Sequence, residues 1–307
     1  MRIAVMGAGG VGGFYGAKLA QAGEDVTFIA RGAHLAALRE RGLRVEGDQA
    51  KIALPSVQAT DDPAAVGPVD LVLLTIKAYD LEGAAQQMQP LVGPQTLVLP
   101  LLNGADIAER IGPVLGAGHV LGGLAQISAR IEEPGHIRQV GPLNKIVFGE
   151  FSGETTPRAQ AILDCLQHAE IKAELSPQIR SAIWQKYLFI CAASGVCAVT
   201  ASLLGPVLAD PDTRALYVGC MEEIAALAAR QDIPLSPTVV ADTLRFSEGI
   251  PPQTRPSMLL SLERGQRLEL EVLNGTAARM GRELGVPTPV NAFIYAALKL
   301  RADGRAD

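Results

Sequence analysis

Gly7, Gly9 and Gly12 stand at G-x-G-x-x-G spacing within Gly7-Ala-Gly-Gly-Val-Gly12, close to the start of a 307-residue chain. Such a turn works through its backbone. The first glycine permits a tight bend, the second lets a diphosphate approach the main chain, and the third lets a helix lie close on a strand. Gly10 belongs to the same turn, whose free N–H groups form the positive end of a helix and suit an anion. The motif carries weight only between a strand and a helix. Residues 3–6 are an apolar run of β-formers and 14–22 have helical character, so that context is met and a dinucleotide is the expected ligand.

Further polar residues fall where such a ligand would lie. Asp25-Val-Thr-Phe-Ile-Ala30 reads as a second parallel strand and is followed by Arg31. A carboxylate there would bond the ribose 2′-hydroxyl of NAD. A guanidinium instead pairs two-pronged with a phosphate, so Arg31 favours NADP(H). Lys77 follows the apolar strand 69–75, and Asn103-Gly104 follows the strand 96–102. Ligands of open α/β sheets sit outside the carboxyl ends of the strands, which places Lys77 and Asn103 at the crevice.

The elements that must hold these residues alternate strand and helix as far as residue 175. Helices are expected at 35–41, 81–91 and 158–168. Short strands at 43–45 and 51–54 suggest a hairpin, and 120–125 is expected to continue the sheet. Two strands, 135–140 and 145–150, would extend or cap it, and 169–175 would be the last. His136 alternates with apolar neighbours in this region and has no identifiable catalytic partner. From Gln178 onward the periodicity is helical, with helices expected at 214–231, 236–246, 257–281 and 289–300. The expected fold is therefore an α/β Rossmann-type dinucleotide-binding domain over 1–175, then an all-α domain over 176–307.

Hydrophobic residues make up 48% of the chain and charged residues 19%, as in an ordinary globular protein. A net charge of −5 gives no general attraction to nucleic acid or to an acidic membrane surface. The four cysteines, Cys165, Cys191, Cys197 and Cys220, follow no zinc-ligand spacing, so no metal site is expected and reduced cytoplasmic thiols are. Residues 1–6 are expected to be the first strand, so no leader is expected. The apolar stretch 187–204 contains Ser194, Thr200 and Ser202 and reads as a buried helix. Its Ala-rich neighbours could pack within one chain or between two, which leaves a homodimer open.

Taken in order, Gly7-Ala-Gly-Gly-Val-Gly12, Arg31, Thr75-Ile-Lys77, Leu102-Asn103-Gly104, Ile183-Trp-Gln-Lys186, Pro256-Ser-Met-Leu259, Glu263-Arg-Gly265, Leu268-Glu269 and Leu273-Asn-Gly275 resemble the ketopantoate reductase family. The likeness runs over nearly the whole chain. It implies NADPH-dependent reduction of a small 2-oxo acid in a cleft between the two domains. By resemblance, Lys186 is the catalytic lysine that bonds the keto oxygen and supplies its proton. Glu269 accepts a hydrogen bond from the substrate hydroxyl, Ser257 binds the substrate carboxylate, and Asn103 supports the reacting centre. Arg31 meets the 2′-phosphate, and Lys77 lies beside cofactor and substrate. Asn274 matches a motif position that could be structural.

The departures fall on the substrate side. The family pattern has asparagines four and eight residues after the lysine, on the same helix face. Here those positions are Ile190 and Ser194, with Ser194 left as the polar substrate-side group, and a third asparagine position is Thr254. Reduction of 2-dehydropantoate to pantoate, a step toward pantothenate, is the leading expectation. Another 2-oxo or hydroxy acid on the same scaffold is the alternative, and a non-catalytic NADP(H)-binding sensor is a third.

Overall fold

Ile3, Ala4 and Val5 have no exposed surface, as expected of a strand covered on both faces. They lie in β1 (Arg2–Met6), which leads through the glycine turn into α1 (Gly10–Gln21). The computed structural model describes residues 1–304 and divides into two compact units. The first holds Met1–Leu102 and Ile107–Ile179.

After α1 this unit continues with β2 (Asp25–Ile29), α2 (Gly32–Arg41), β3 (Leu43–Gly47), β4 (Lys51–Leu54) and β5 (Gln58–Thr60). Then follow β6 (Val69–Leu74), α3 (Leu81–Met88), β7 (Val92–Pro100), α4 (Ile107–Leu115), β8 (Gly122–Glu133), β9 (His136–Gly149), α5 (Pro157–His168) and β10 (Lys172–Leu175). One sheet is parallel throughout, in the order β5-β2-β1-β6-β7. Strand order runs outward from β1 in both directions, so the topological switch point lies beside the carboxyl end of β1, where the glycine turn begins.

A second sheet has the order β10-β9-β3-β4, with β8 antiparallel on β9. Here the expectations need correction. Residues 120–125 meet the parallel sheet through a bridge between Val98 and Val120 and through Gly123 against Leu99 and Pro100, and from Gly122 they pair in β8 with the second sheet. The two strands expected at 135–140 and 145–150 are one long strand, β9, with its pairing on β8 shifted between Ile127 and Ser128. The short β5 and the helix α4 were not anticipated. Helix α1 lies between the two sheets: a Cβ at Gly13 would come within 2.7 Å of Ile137 on β9, and one at Gly16 within 2.5 Å of Phe28 on β2.

The second unit comprises Asn103–Asp106 and the chain from Arg180 onward. Its helices are α6 (Ile179–Thr200), α7 (Leu204–Ala209), α8 (Pro211–Arg230), α9 (Val239–Glu248), α10 (Ser257–Glu263), α11 (Thr276–Leu284) and α12 (Pro289–Lys299). Helix α6 is long and apolar enough to cross a membrane, yet most of that stretch is buried in the protein, with Tyr187, Leu188, Cys191 and Val196 in the core. The continuous helix expected over 257–281 is broken. Gly265 at φ +64° follows α10, an irregular stretch reaches Glu269, and a π turn over Glu271–Gly275 leads into α11. At Leu273 the backbone leaves helical geometry (φ −96°, ψ −106°), and its carbonyl accepts the Tyr187 hydroxyl at 2.7 Å.

Glu223, Asn274 and Asn291 form a buried polar network in this unit. The Glu223 carboxylate accepts the Val290 and Asn291 N–H groups at 2.7 and 2.9 Å and so caps α12. Asn291 Oδ1 in turn accepts from Asn274 Nδ2 at 2.9 Å. Asn274 is thus fully buried in a structural network under the π turn.

Candidate active site

The turn between β1 and α1 is fixed from both neighbouring strands. The Gly7 and Ala8 N–H groups donate to the Ile29 carbonyl, each at 3.1 Å, and Thr75 Oγ1 donates to the Gly7 carbonyl at 2.8 Å. Gly7 has φ +99°, a conformation that side-chain-bearing residues avoid. The remaining glycines of the motif divide by what lies above their Cα atoms. A Cβ at Gly12 would sit 2.2 Å from the Gly7 carbonyl oxygen, and one at Gly10 would sit 2.1 Å from the Ala129 carbonyl oxygen of β8. Only open space lies within 4 Å of the Gly9 position. Gly10 and Gly12 are therefore required for packing inside the unit, whereas Gly9 opens onto solvent at the N-cap of α1. An open glycine beside the unpaired first N–H groups of a helix fits a diphosphate.

Arg31 is the exposed N-cap residue of α2, in extended conformation, just past the end of β2. Its Nη2 donates to Gln87 Oε1 on α3 at 2.7 Å. Three residues on, His34 Nδ1 accepts the Gly135 N–H at 3.2 Å, and burial holds this imidazole below its ordinary pKa. Lys77 is exposed and precedes the short 3-10 turn Ala78–Asp80 after β6. The glycine turn, Arg31 and Lys77 thus gather at the carboxyl ends of β1, β2 and β6. Asn103 and Gly104 follow β7, with Gly104 at φ +130°, and Asn103 groups with the helical unit.

Within that unit, Lys186 stands on α6 and Glu269 lies just before the π turn. Lys186 is half-buried, and the loss of water around its ammonium group pushes its pKa down to about 8, with the nearby Glu269 carboxylate opposing the fall. A lysine in this state is still mostly protonated at neutral pH, yet releases its proton far more readily than a solvated one. Such a group can hydrogen-bond a carbonyl oxygen, stabilise negative charge arriving there, and protonate it. Ile190, one turn further along α6, is half-buried.

Ser194 is fully buried, and its hydroxyl has no hydrogen-bond partner in the structure. A residue eight positions on has drifted around the helix by about 80° at 3.6 residues per turn, which carries Ser194 into the core while Lys186 keeps some exposure. Ser257 is exposed at the first position of α10, and Thr254 precedes it with its carbonyl bonded to the Leu204 N–H at 3.2 Å. His136 lies in β9, 3.1 Å from Arg44 and beside Glu46, in a charged cluster on the second sheet. Two supporting residues went unread in the sequence. Nothing in the sequence around Thr75 marks its bond to the turn, and Gln87 lies in a glutamine pair with no signal of its own.

A parallel sheet with a glycine turn at its switch point, followed by a helical unit with a half-buried lysine beside a carboxylate, fits a nucleotide-dependent oxidoreductase. The comparisons with known proteins narrow this class. The model of ketopantoate reductase PanE/ApbA matches residues 3–153, and the model of that family's C-terminal part matches 178–302. The chain belongs to the ketopantoate reductase family, whose members are NADP-dependent oxidoreductases. A 2-dehydropantoate 2-reductase of Mesorhizobium japonicum is 31% identical, with 97% of each chain covered. The crystal structure of a PanE/ApbA family ketopantoate reductase from Ralstonia eutropha is similar at TM-score 0.90 and 32% identity, covering 98% of each chain. D-mandelate dehydrogenase, solved with NADH and anilino(oxo)acetate, is similar at TM-score 0.90 and 25% identity, again covering 98% of each chain.

Proposed function

We propose that the chain reduces 2-dehydropantoate to pantoate with NADPH, in the cytoplasm. The observation that carries this reading is the half-buried Lys186 on α6 beside the Glu269 carboxylate, in a chain that also holds the glycine turn and Arg31 and matches the family over both units. Residues 1–175 hold the cofactor and 176–307 supply the substrate and proton-transfer groups. Gly7, Gly9, Gly10 and Gly12 form the diphosphate turn, Arg31 meets the 2′-phosphate, and Lys77 and Asn103 lie toward the reacting end. NADPH, when bound, supplies a hydride to the C2 carbonyl carbon. Lys186 holds the carbonyl oxygen by a charge-assisted hydrogen bond and delivers its Nζ proton to that oxygen. Glu269 accepts a hydrogen bond from the substrate hydroxyl, and its charge keeps Lys186 protonated. Ser257, at the surface, meets the substrate carboxylate, whereas Ser194, expected from the sequence to face the substrate, is buried in the core of α6 and is left out of the substrate contacts.

A second reading is favoured by Ile190 and by the likeness to D-mandelate dehydrogenase. An apolar side chain one turn from the lysine suits a 2-oxo acid with a bulky apolar group in place of the hydroxymethyl end of 2-dehydropantoate. The test is NADPH oxidation by the purified protein with 2-dehydropantoate beside a panel of branched and aromatic 2-oxo acids. The highest kcat/KM with 2-dehydropantoate supports the first reading. A clear preference for an apolar acid replaces it with the second, and no turnover with any of them overturns both.

A further inference from the structure

Arg31 carries the preference for a phosphorylated ribose in the proposed reading, and the structure supplies a partner for it. The Arg31 backbone is fixed, since its carbonyl accepts the Leu35 N–H at 3.3 Å as α2 begins. His34 ties the same end of α2 to the turn between β8 and β9 through the Gly135 N–H. The long side chain is the part still free to wander, and Gln87 holds it by the bond to Nη2 at 2.7 Å. Gln87 lies on the outer face of α3, whose inner face is set by Leu81, Ala84, Ala85 and Met88 in the core. Its position is thus fixed by packing that does not involve Arg31.

The chemistry of the acceptor matters as much as its place. An amide oxygen takes one guanidinium N–H and leaves the positive charge and the remaining donors intact. A carboxylate at the same point would pair with the guanidinium and compete with an incoming phosphate. We propose that Gln87 is a positioning residue for cofactor choice: it orients Arg31, without neutralising it, so that the guanidinium presents its remaining donors to the 2′-phosphate of NADP(H). Freezing a long side chain before binding removes an ordering cost that would otherwise weaken the complex. The inference rests on the reading of Arg31 as the 2′-phosphate contact.

The test is the ratio of NADH to NADPH dissociation constants, measured by nucleotide fluorescence in the full chain without substrate. Four proteins are compared: wild type, Gln87→Met, Gln87→Glu and Arg31→Ala. Gln87→Met keeps length and removes the acceptor, and it is expected to weaken NADPH about two- to tenfold, the scale of ordering one long side chain, with NADH unchanged. Gln87→Glu is expected to weaken NADPH further, and Arg31→Ala about ten- to hundredfold through the loss of charge-assisted bonds. A ratio that collapses in Arg31→Ala but stays at the wild-type value in both Gln87 variants overturns the role of Gln87 and leaves Arg31 standing. A ratio unchanged in Arg31→Ala overturns the reading of Arg31 itself, and with it this inference. Gln87 is exposed, so its variants are expected to melt with the wild type.

Discussion

The titration of Lys186 follows from its surroundings, burial on one side and the Glu269 carboxylate on the other. Burial favours the neutral amine and lowers the lysine pKa to about 8, while the carboxylate favours the ammonium and limits the fall. A general acid works only in its protonated form, so kcat/KM for oxo-acid reduction is expected to decline as pH rises through about 8. Glu269→Gln removes the opposing charge, and the alkaline limb should move to lower pH. A pH–rate profile checks this, and a limb that stays in place in the variant would disconnect the pair from proton transfer. Lys186 and Glu269 lie far apart in the sequence, and their roles were legible there only through the family resemblance. Arg31 is different: its place after a strand that follows a glycine turn was enough to suggest a phosphate contact. Gln87 could not be read, because its meaning depends on where α3 lies against α2.

Among the elements, α1 and its turn hold open and crowded glycines within a few residues of each other. Gly9→Ala adds a methyl group to open space at an allowed backbone conformation, whereas Gly12→Ala drives one toward the Gly7 carbonyl and the Thr75 hydroxyl, 2.2 and 2.3 Å away. The Gly9→Ala protein should therefore melt within about 1 kcal/mol of the wild type, the ordinary range for a cap substitution, and still lose NADPH affinity. Gly12→Ala should lose stability as well, by about 1–3 kcal/mol as for an overpacked core. Thermal melts beside nucleotide titration distinguish the two, and equal stability losses would refute the division. The strand–helix alternation was readable because both faces of the parallel strands are apolar. The passage of β8 into a second sheet was not, since an apolar run does not name its pairing partner. Helix periodicity likewise carried the expected helix across 257–281, where Gly265 and the non-helical Leu273 divide it.

At the scale of the whole molecule, the glycine turn and Arg31 belong to one compact unit, and Lys186, Glu269 and Asn103 to the other. Family membership over both units gives the chain its reaction class. The central claim is that Lys186 supplies the proton in NADPH-dependent reduction of 2-dehydropantoate. Its most direct test is NADPH oxidation with that substrate by wild type and Lys186→Ala, with NADPH binding confirmed in both. The account predicts turnover by the wild type and a fall of roughly a hundredfold or more in the variant, the scale of a lost general acid. A Lys186→Ala protein that turns over as fast as the wild type would contradict it.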